Sequence, residues 1–394
     1  MDFRPSHRAQ TIKSSPIFSI SAKAAALRAE GRDVIDLSAG EPDFDTPAHI
    51  KAAAIEAINA GFTKYTPVDG TPELKRAVID KFARENSLSY TGEQILVSCG
   101  CKHSIYNLMQ AMLDPGDEVI IPAPYWVSYP DMVRLADAAP VIIKTDVERA
   151  FKIAPEQLRG VLGEKTRMIV FNSPGNPSGA SYTPAEYKAL GAVLAEFPDV
   201  IVVSDDIYEH IQWTGRPFGN ILNAVPALHN RTVVVNGVSK AYAMTGWRIG
   251  YAAGPQKIIQ AMHKIQSQST SNAASIAQVA ATAALNGDQS VLAKHCQAFK
   301  ERHDYVLTRL RALPGVDVVP ADGTFYAFPD MGEFIQRRKD LGNDVKLADH
   351  LLERANVAVV PGSAFGAPGC IRLSYATGLE TLEKALDRIA AALT

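Results

Sequence analysis

Six short runs of apolar, largely β-branched residues recur through the middle of the chain. They are Ile95-Leu96-Val97, Val119-Ile120-Ile121, Val141-Ile142-Ile143, Met168-Ile169-Val170-Phe171, Val200-Ile201-Val202-Val203 and Thr232-Val233-Val234-Val235. They are nearly continuously apolar instead of alternating with polar residues, so each is predicted to be a strand covered on both faces, as in a parallel sheet. Between them lie segments of helical character, such as His103 to Leu113 and Pro184 to Glu196. Strand alternating with helix predicts an α/β fold: a large domain with a mostly parallel central sheet sandwiched by helices.

In such a sheet a ligand lies beyond the carboxyl ends of the strands. Three of those ends carry chemistry. Phe171 runs into the turn-rich loop Asn172-Ser173-Pro174-Gly175-Asn176-Pro177-Ser178-Gly179, Val203 into Ser204-Asp205-Asp206-Ile207-Tyr208, and Val235 into Asn236-Gly237-Val238-Ser239-Lys240. Amides, two carboxylates, a phenol and a lysine are thereby brought to one edge, and a core has no packing use for that set.

From about residue 290 the pattern changes. A charged helical stretch from Lys294 to Leu313 is closed by Pro314-Gly315, and Val316 to Val319 and Gly323 to Phe328 follow. A helical segment around Val345 to Glu353 then leads into Val357 to Val360 and Ile371 to Tyr375. This predicts a smaller α+β domain. The first 47 residues are expected to pack with it, with a helix from Ser21 to Glu30 and a crossover loop from Gly40 to Pro47. The expected division is an N-terminal arm and part of the small domain over 1–47, the large domain over 48–289, and the small C-terminal domain over 290–394. A chain of 394 residues suits one large and one small domain.

With 47% hydrophobic and 21% charged residues the chain can bury a sizeable core. Its 40 basic and 42 acidic residues nearly cancel, which gives no electrostatic reason to expect nucleic acid or an anionic membrane as partner. No apolar run approaches the roughly 20 residues of a membrane span, and Met1 to Ser15 lacks the apolar segment of a secretory signal. Small-molecule substrates and a cytoplasmic location are expected. Cys99 and Cys101 lack the spacing of a redox or zinc pair, and the four cysteines are expected to be small buried thiols with no metal site.

The segment Ser239-Lys240-Ala241-Tyr242-Ala243-Met244-Thr245-Gly246-Trp247-Arg248-Ile249-Gly250 resembles the cofactor-attachment signature of class I aminotransferases of fold type I, which use pyridoxal 5′-phosphate (PLP). Gly40-Glu41-Pro42-Asp43-Phe44, Lys64-Tyr65-Thr66-Pro67, Pro124 to Pro130, Asn172 to Gly179, Ser204 to Tyr208 and Ile371 to Ala376 match in the same order, so the resemblance covers almost the whole chain. It is nearest to the prokaryotic-type aspartate aminotransferase branch.

Lys240 follows a buried strand, and a desolvated lysine has a lowered pKa and can attack an aldehyde. The resemblance implies that it binds the cofactor covalently and later moves the substrate proton. Asp205 and Asp206 point to opposite faces; the spacing to Tyr208 makes Asp205 resemble the carboxylate that pairs with the pyridinium nitrogen. Tyr208 and Asn176 resemble the pair that hydrogen-bonds the cofactor's phenolic oxygen, and Trp126 the aromatic that stacks on its ring. The phosphate is expected at Gly100-Cys101-Lys102, where backbone N–H groups open a helix, with Ser239 and Arg248. Tyr65 resembles a phosphate ligand donated by a second subunit, which implies a homodimer with shared active sites. Arg372 offers the planar fork that matches a carboxylate bidentately and resembles the substrate α-carboxylate ligand, with Gly40 as a backbone contact.

Lys102 resembles the ligand for a distal carboxylate, which favours aspartate and glutamate with 2-oxoglutarate and oxaloacetate. Two departures pull the other way. His103 stands where the family usually has glutamine, and Ile17 stands where the branch commonly has a threonine; Ile17 and Phe18 make the site drier and remove one hydroxyl. An aromatic, neutral amino acid or prephenate aminotransferase is therefore the alternative within the class. Lyases of the same fold share the central residues, and a non-catalytic relative would have lost Lys240, Asp205 or Arg372. His103 itself is expected to be a packed helix residue.

Overall fold

A computed structural model describes residues 3–12, 16–338 and 340–393, and the side chain of Phe18 lies outside the described residues. Twelve strands follow in chain order among them: β1 (Ile35–Asp36), β2 (Ile95–Ser98), β3 (Glu118–Pro122), β4 (Ala139–Ile143), β5 (Thr166–Asn172), β6 (Ile201–Asp205), β7 (Thr232–Gly237), β8 (Gly250–Ala253), β9 (Tyr326–Ala327), β10 (Val357–Ala358), β11 (Val360–Pro361) and β12 (Ile371–Ser374).

All six predicted runs enter one seven-stranded sheet, in the order β2-β8-β7-β6-β5-β3-β4. Five strands, β7-β6-β5-β3-β4, pair in parallel, while β8 runs antiparallel to both β2 and β7. The continuous apolarity has the predicted cause. Ile95, Val97, Ile169, Val202 and Val234 face one core layer with Leu74, Phe82 and Leu190. Their neighbours Leu96, Met168, Val170, Val203 and Val235 face the other with Leu108, Met109 and Met262. Side chains alternate by two along each strand, so both layers draw on every strand.

The expected helices appear as Cys101–Met112, Pro184–Leu194 and Ser290–Arg311. Pro184–Leu194 begins with a reciprocal cap, the Thr183 hydroxyl accepting from the Glu186 amide and the Glu186 carboxylate from that of Thr183. Cys101–Met112 begins at Gly100 with φ 89° and no side-chain cap, so its first N–H groups are left for another acceptor.

The chain's two ends share a core. β1 pairs in parallel with β10, and β12 lies between β11 and β9. Ile35, Leu37, Phe299, Phe325, Leu347, Val357, Leu373 and Leu386 pack together, and the helix over Pro16–Ala29 contributes Ala24 beside Val34 and Ala358. The run at Val316 to Val319 forms only a bridge, Asp317 to Asp330. The cysteines correct an expectation. All four are free, but only Cys370 is buried; Cys99, Cys101 and Cys296 are half-buried, because the first two sit at a strand end and a helix start beside a cavity.

Candidate active site

That cavity, of about 590 Å³, opens at the carboxyl ends of β5, β6 and β7. Gly40, Cys101, Lys102, Trp126, Asn176, Asp205, Tyr208, Ser239, Lys240, Arg248 and Arg372 all line it. Gly100 supports its rim as the N-cap of Cys101–Met112. Tyr65 is not among the lining residues, and it is 93% exposed.

Lys240 leaves the end of β7 and donates from Nζ to the Gly40 carbonyl at 2.5 Å. Burial pulls its pKa down to about 8, with Arg372 and Arg248 pushing the same way. Neutral amine is therefore accessible near physiological pH. Asp205, 3% exposed at the end of β6, accepts from the Tyr129 hydroxyl at 2.6 Å and from the Ile207 amide at 3.4 Å. Burial raises its carboxyl to about 6, and those two donors hold it down. Asp206 points the other way, its carboxylate taken by Ser204 and Asn220, each at 2.7 Å. The alternation of the strand therefore puts Asp205, and not Asp206, at the cavity.

Arg372 on β12 is 0% exposed and has no carboxylate partner among the described residues. Its Nη1 donates to Asn176 Oδ1 at 3.0 Å and its Nη2 to the Ser38 carbonyl at 2.7 Å, while Nε has no hydrogen-bond partner among the described residues. Asn176 is itself fixed, its amide donating to Asn172 Oδ1 at 2.8 Å. An ionised group this deeply buried needs a counter-charge, and an incoming carboxylate would supply one.

Arg248 closes the opposite end. Its backbone is left-handed at φ 57°, which turns the guanidinium onto the Thr245 and Cys99 carbonyls at 2.8 and 3.3 Å. Side chains are excluded around it: a Cβ on Gly100 would fall 2.5 Å from Arg248 Nη2, and one on Gly250 would fall 2.3 Å from the Cys101 amide nitrogen. This close packing sets a cation beside an uncapped helix N-terminus, an arrangement suited to a phosphate. The Lys102 ammonium lies 5.0 Å over the Trp126 ring, where burial and then Arg248 lower its pKa. Ile17 forms part of the same wall.

These residues fit PLP by their chemistry: a buried amine for its aldehyde, a buried carboxylate for its ring nitrogen, an indole for its face, and a cation with free amides for its phosphate. His103 stays out of the cavity lining, and its Nδ1 accepts from the Cys99 amide at 3.2 Å. Two residues escaped the sequence reading. Tyr129, within Pro124 to Pro130, supports Asp205; Tyr326 on β9 lines the cavity between Tyr208 and Arg372. Both looked like ordinary core aromatics, and only the hydroxyl contacts distinguish them.

The family model for aminotransferase class I and II matches residues 32–389. An aspartate/prephenate aminotransferase from Nitrosomonas europaea is 56% identical over 394 residues, 99% of each chain. The crystal structure of an aspartate aminotransferase from Rhizobium meliloti superimposes with a TM-score of 0.95 at 48% identity, covering 100% of this chain and 99% of that one. The aspartate aminotransferase from Thermus thermophilus with maleate gives 0.93 at 44% identity, covering 99% of this chain and 100% of that one.

Proposed function

This chain belongs to the class I and II aminotransferase family, and we propose that it moves the amino group between aspartate or glutamate and oxaloacetate or 2-oxoglutarate by a ping-pong mechanism. The observation that carries the reading is the fully buried Arg372 fork, without a carboxylate partner among the described residues, facing the same cavity as an amine tuned to about 8. A site built in this way takes an amino acid by its α-carboxylate and presents its amino group and Cα–H to a base.

PLP, when bound, supplies an electron sink for the pair left by the departing Cα proton. The protein does the rest. Lys240 holds the cofactor and, once displaced, carries the proton from Cα, work that requires the neutral amine its burial favours. Asp205, kept anionic by Tyr129, would face the ring nitrogen, and Tyr208 and Asn176 the phenolic oxygen. Trp126 would cover the ring face. The amides of Cys101 and Lys102 would hold the phosphate with Ser239 and Arg248, while that of Gly100 already donates to the Ser98 carbonyl at 2.8 Å. Arg372 and Gly40 orient the substrate, and Asn176, through its bond to Nη1, fixes the fork. Product leaves as a 2-oxo acid, and a second 2-oxo acid takes up the amino group.

Lys102 supports the dicarboxylic choice: with Arg372 and Arg248 assigned, it is the cation left for a distal carboxylate. The names of the relatives agree. Ile17 on the same wall favours a second reading, in which an aromatic or neutral side chain, or prephenate, is also accepted. Tyr65 would reach the phosphate of a second subunit in a cytoplasmic homodimer; its exposure, and that of Ile55, Ile58 and Phe62 nearby in sequence, support this.

A half-reaction screen tests the choice. The PLP form is mixed with aspartate, glutamate, phenylalanine and alanine in turn, and loss of its visible absorption is followed. Rapid loss with aspartate and glutamate is expected; indifference to both with rapid loss to phenylalanine or alanine would reverse the assignment.

A further inference from the structure

Tyr326 occupies a position that none of the assigned roles explains. It is 1% exposed on the short strand β9, where it pairs with Ser374 of the strand that carries Arg372. Its ring lies under the Arg372 guanidinium, 4.3 Å from Cζ. Its hydroxyl is 3.0 Å from the Tyr208 hydroxyl. The same hydroxyl abuts Gly40, where a Cβ would fall 3.1 Å away, and the Gly40 carbonyl is the acceptor for Lys240. One side chain therefore touches the carboxylate fork and the cofactor-facing phenol and lies beside the glycine whose carbonyl receives the lysine.

We propose that Tyr326 is a positioning residue that couples the two halves of the site, its ring fixing the Arg372 fork and its hydroxyl acting as the donor that turns the Tyr208 proton toward the cofactor. The inference rests on the reading of Tyr208 as a cofactor ligand.

Proton accounting sets the direction. Each phenol has one O–H and lone pairs to accept with. Burial raises the pKa of both, so both are neutral at working pH and one must donate to the other. If Tyr208 spends its single proton on an acceptor in the cavity, the bond between them can be made only by the Tyr326 proton. A phenol that accepts a hydrogen bond is polarised and donates more strongly. The ring contributes separately, because a guanidinium over an aromatic face is held by cation–π attraction that is larger where water is excluded. Stacked on its face, the ring occupies none of the guanidinium's N–H groups, and those not taken by Asn176 and Ser38 remain for a carboxylate.

The two parts are separable in the holoenzyme. Two readouts are needed: the pH at which the visible absorption of bound PLP shifts, and the affinity for maleate as a non-reacting dicarboxylate. Tyr326→Phe keeps the ring and removes the donor. It is expected to raise the spectral pKa by about 0.5–1 unit and to leave maleate affinity within about two-fold. Tyr326→Leu removes both and is expected also to weaken maleate by about ten-fold. In a Tyr208→Phe background the spectral effect of Tyr326→Phe is expected to vanish.

A Tyr326→Phe enzyme whose spectral pKa stays at the wild-type value would overturn the proposal. So would the same shift with and without the Tyr208 hydroxyl. Should Tyr326→Leu not fold, the Tyr326→Phe and Tyr208→Phe cycle still decides. A wild-type protein that takes up no PLP would instead refute the underlying functional reading, so the two failures are distinguishable.

Discussion

A lysine in water is almost wholly charged at neutral pH, and a charged amine cannot attack an aldehyde. The burial that brings Lys240 to about 8 leaves about one-tenth of it neutral at pH 7 and about nine-tenths at pH 9. The rate at which cofactor-free protein takes up PLP should therefore climb about ten-fold per unit between pH 6 and 7.5 and level off above about 8.5. Stopped-flow absorbance measures this, and a rate independent of pH would show that Lys240 is not the attacking group. The same shift opposes folding of the cofactor-free chain while the amine is charged. That penalty is complete below about 8 and is relieved as pH rises toward the ordinary value of 10.5. At this scale the sequence was informative wherever a residue type is costly to bury without purpose: Lys240, Asp205 and Arg372 all stood out by charge. Tyr129 and Tyr326 did not, because a buried phenol is common and its hydroxyl partner lies 76 or 118 residues away in sequence.

The loop after β6 shows how an element holds such residues in place. Asp205 and Tyr208 face the cavity, while Asp206 and Glu209 turn to the other side. Glu209 pairs with Lys81 of the helix over Pro72–Asn86, and Asn86 donates to it at 2.8 Å. Lys81 has a side chain 0% exposed and Glu209 3%, so removing one leaves the other charge buried. Lys81→Met should cost about 3–5 kcal/mol in urea unfolding, and a loss below about 1 kcal/mol would show that the pair is not what anchors the loop. Strands with β-branched runs were readable because the sheet is covered on both faces. β8 was not: Gly250-Tyr251-Ala252-Ala253 has no such run, yet it separates β2 from β7. Gly250 opens it because a side chain there would strike the Cys101 amide, a tertiary reason invisible to local pattern.

For the whole molecule, assembly turns on Tyr65, which is exposed and does not line the active-site cavity of its own chain. If it completes a partner's site, Lys240→Ala and Tyr65→Ala fall in the same site of a hybrid dimer and leave the other site intact. A one-to-one mixture after subunit exchange should then regain about a quarter of wild-type activity, whereas a mixture no more active than its parents would exclude Tyr65 from the partner's site. The shared core of the two chain ends was foreshadowed by the change of pattern near residue 290, but no local signal specified the β1–β10 pairing that ties them. The claim beneath all of this is that one buried amine, by holding the cofactor and moving a proton, lets nitrogen pass between two acids. Glutamate formation from aspartate and 2-oxoglutarate, measured for PLP-loaded wild-type and Lys240→Ala proteins, tests it directly. Steady turnover by the first and a loss of at least about 10²–10⁴-fold in the second are predicted; undiminished turnover without the lysine, or none with it, would contradict the account.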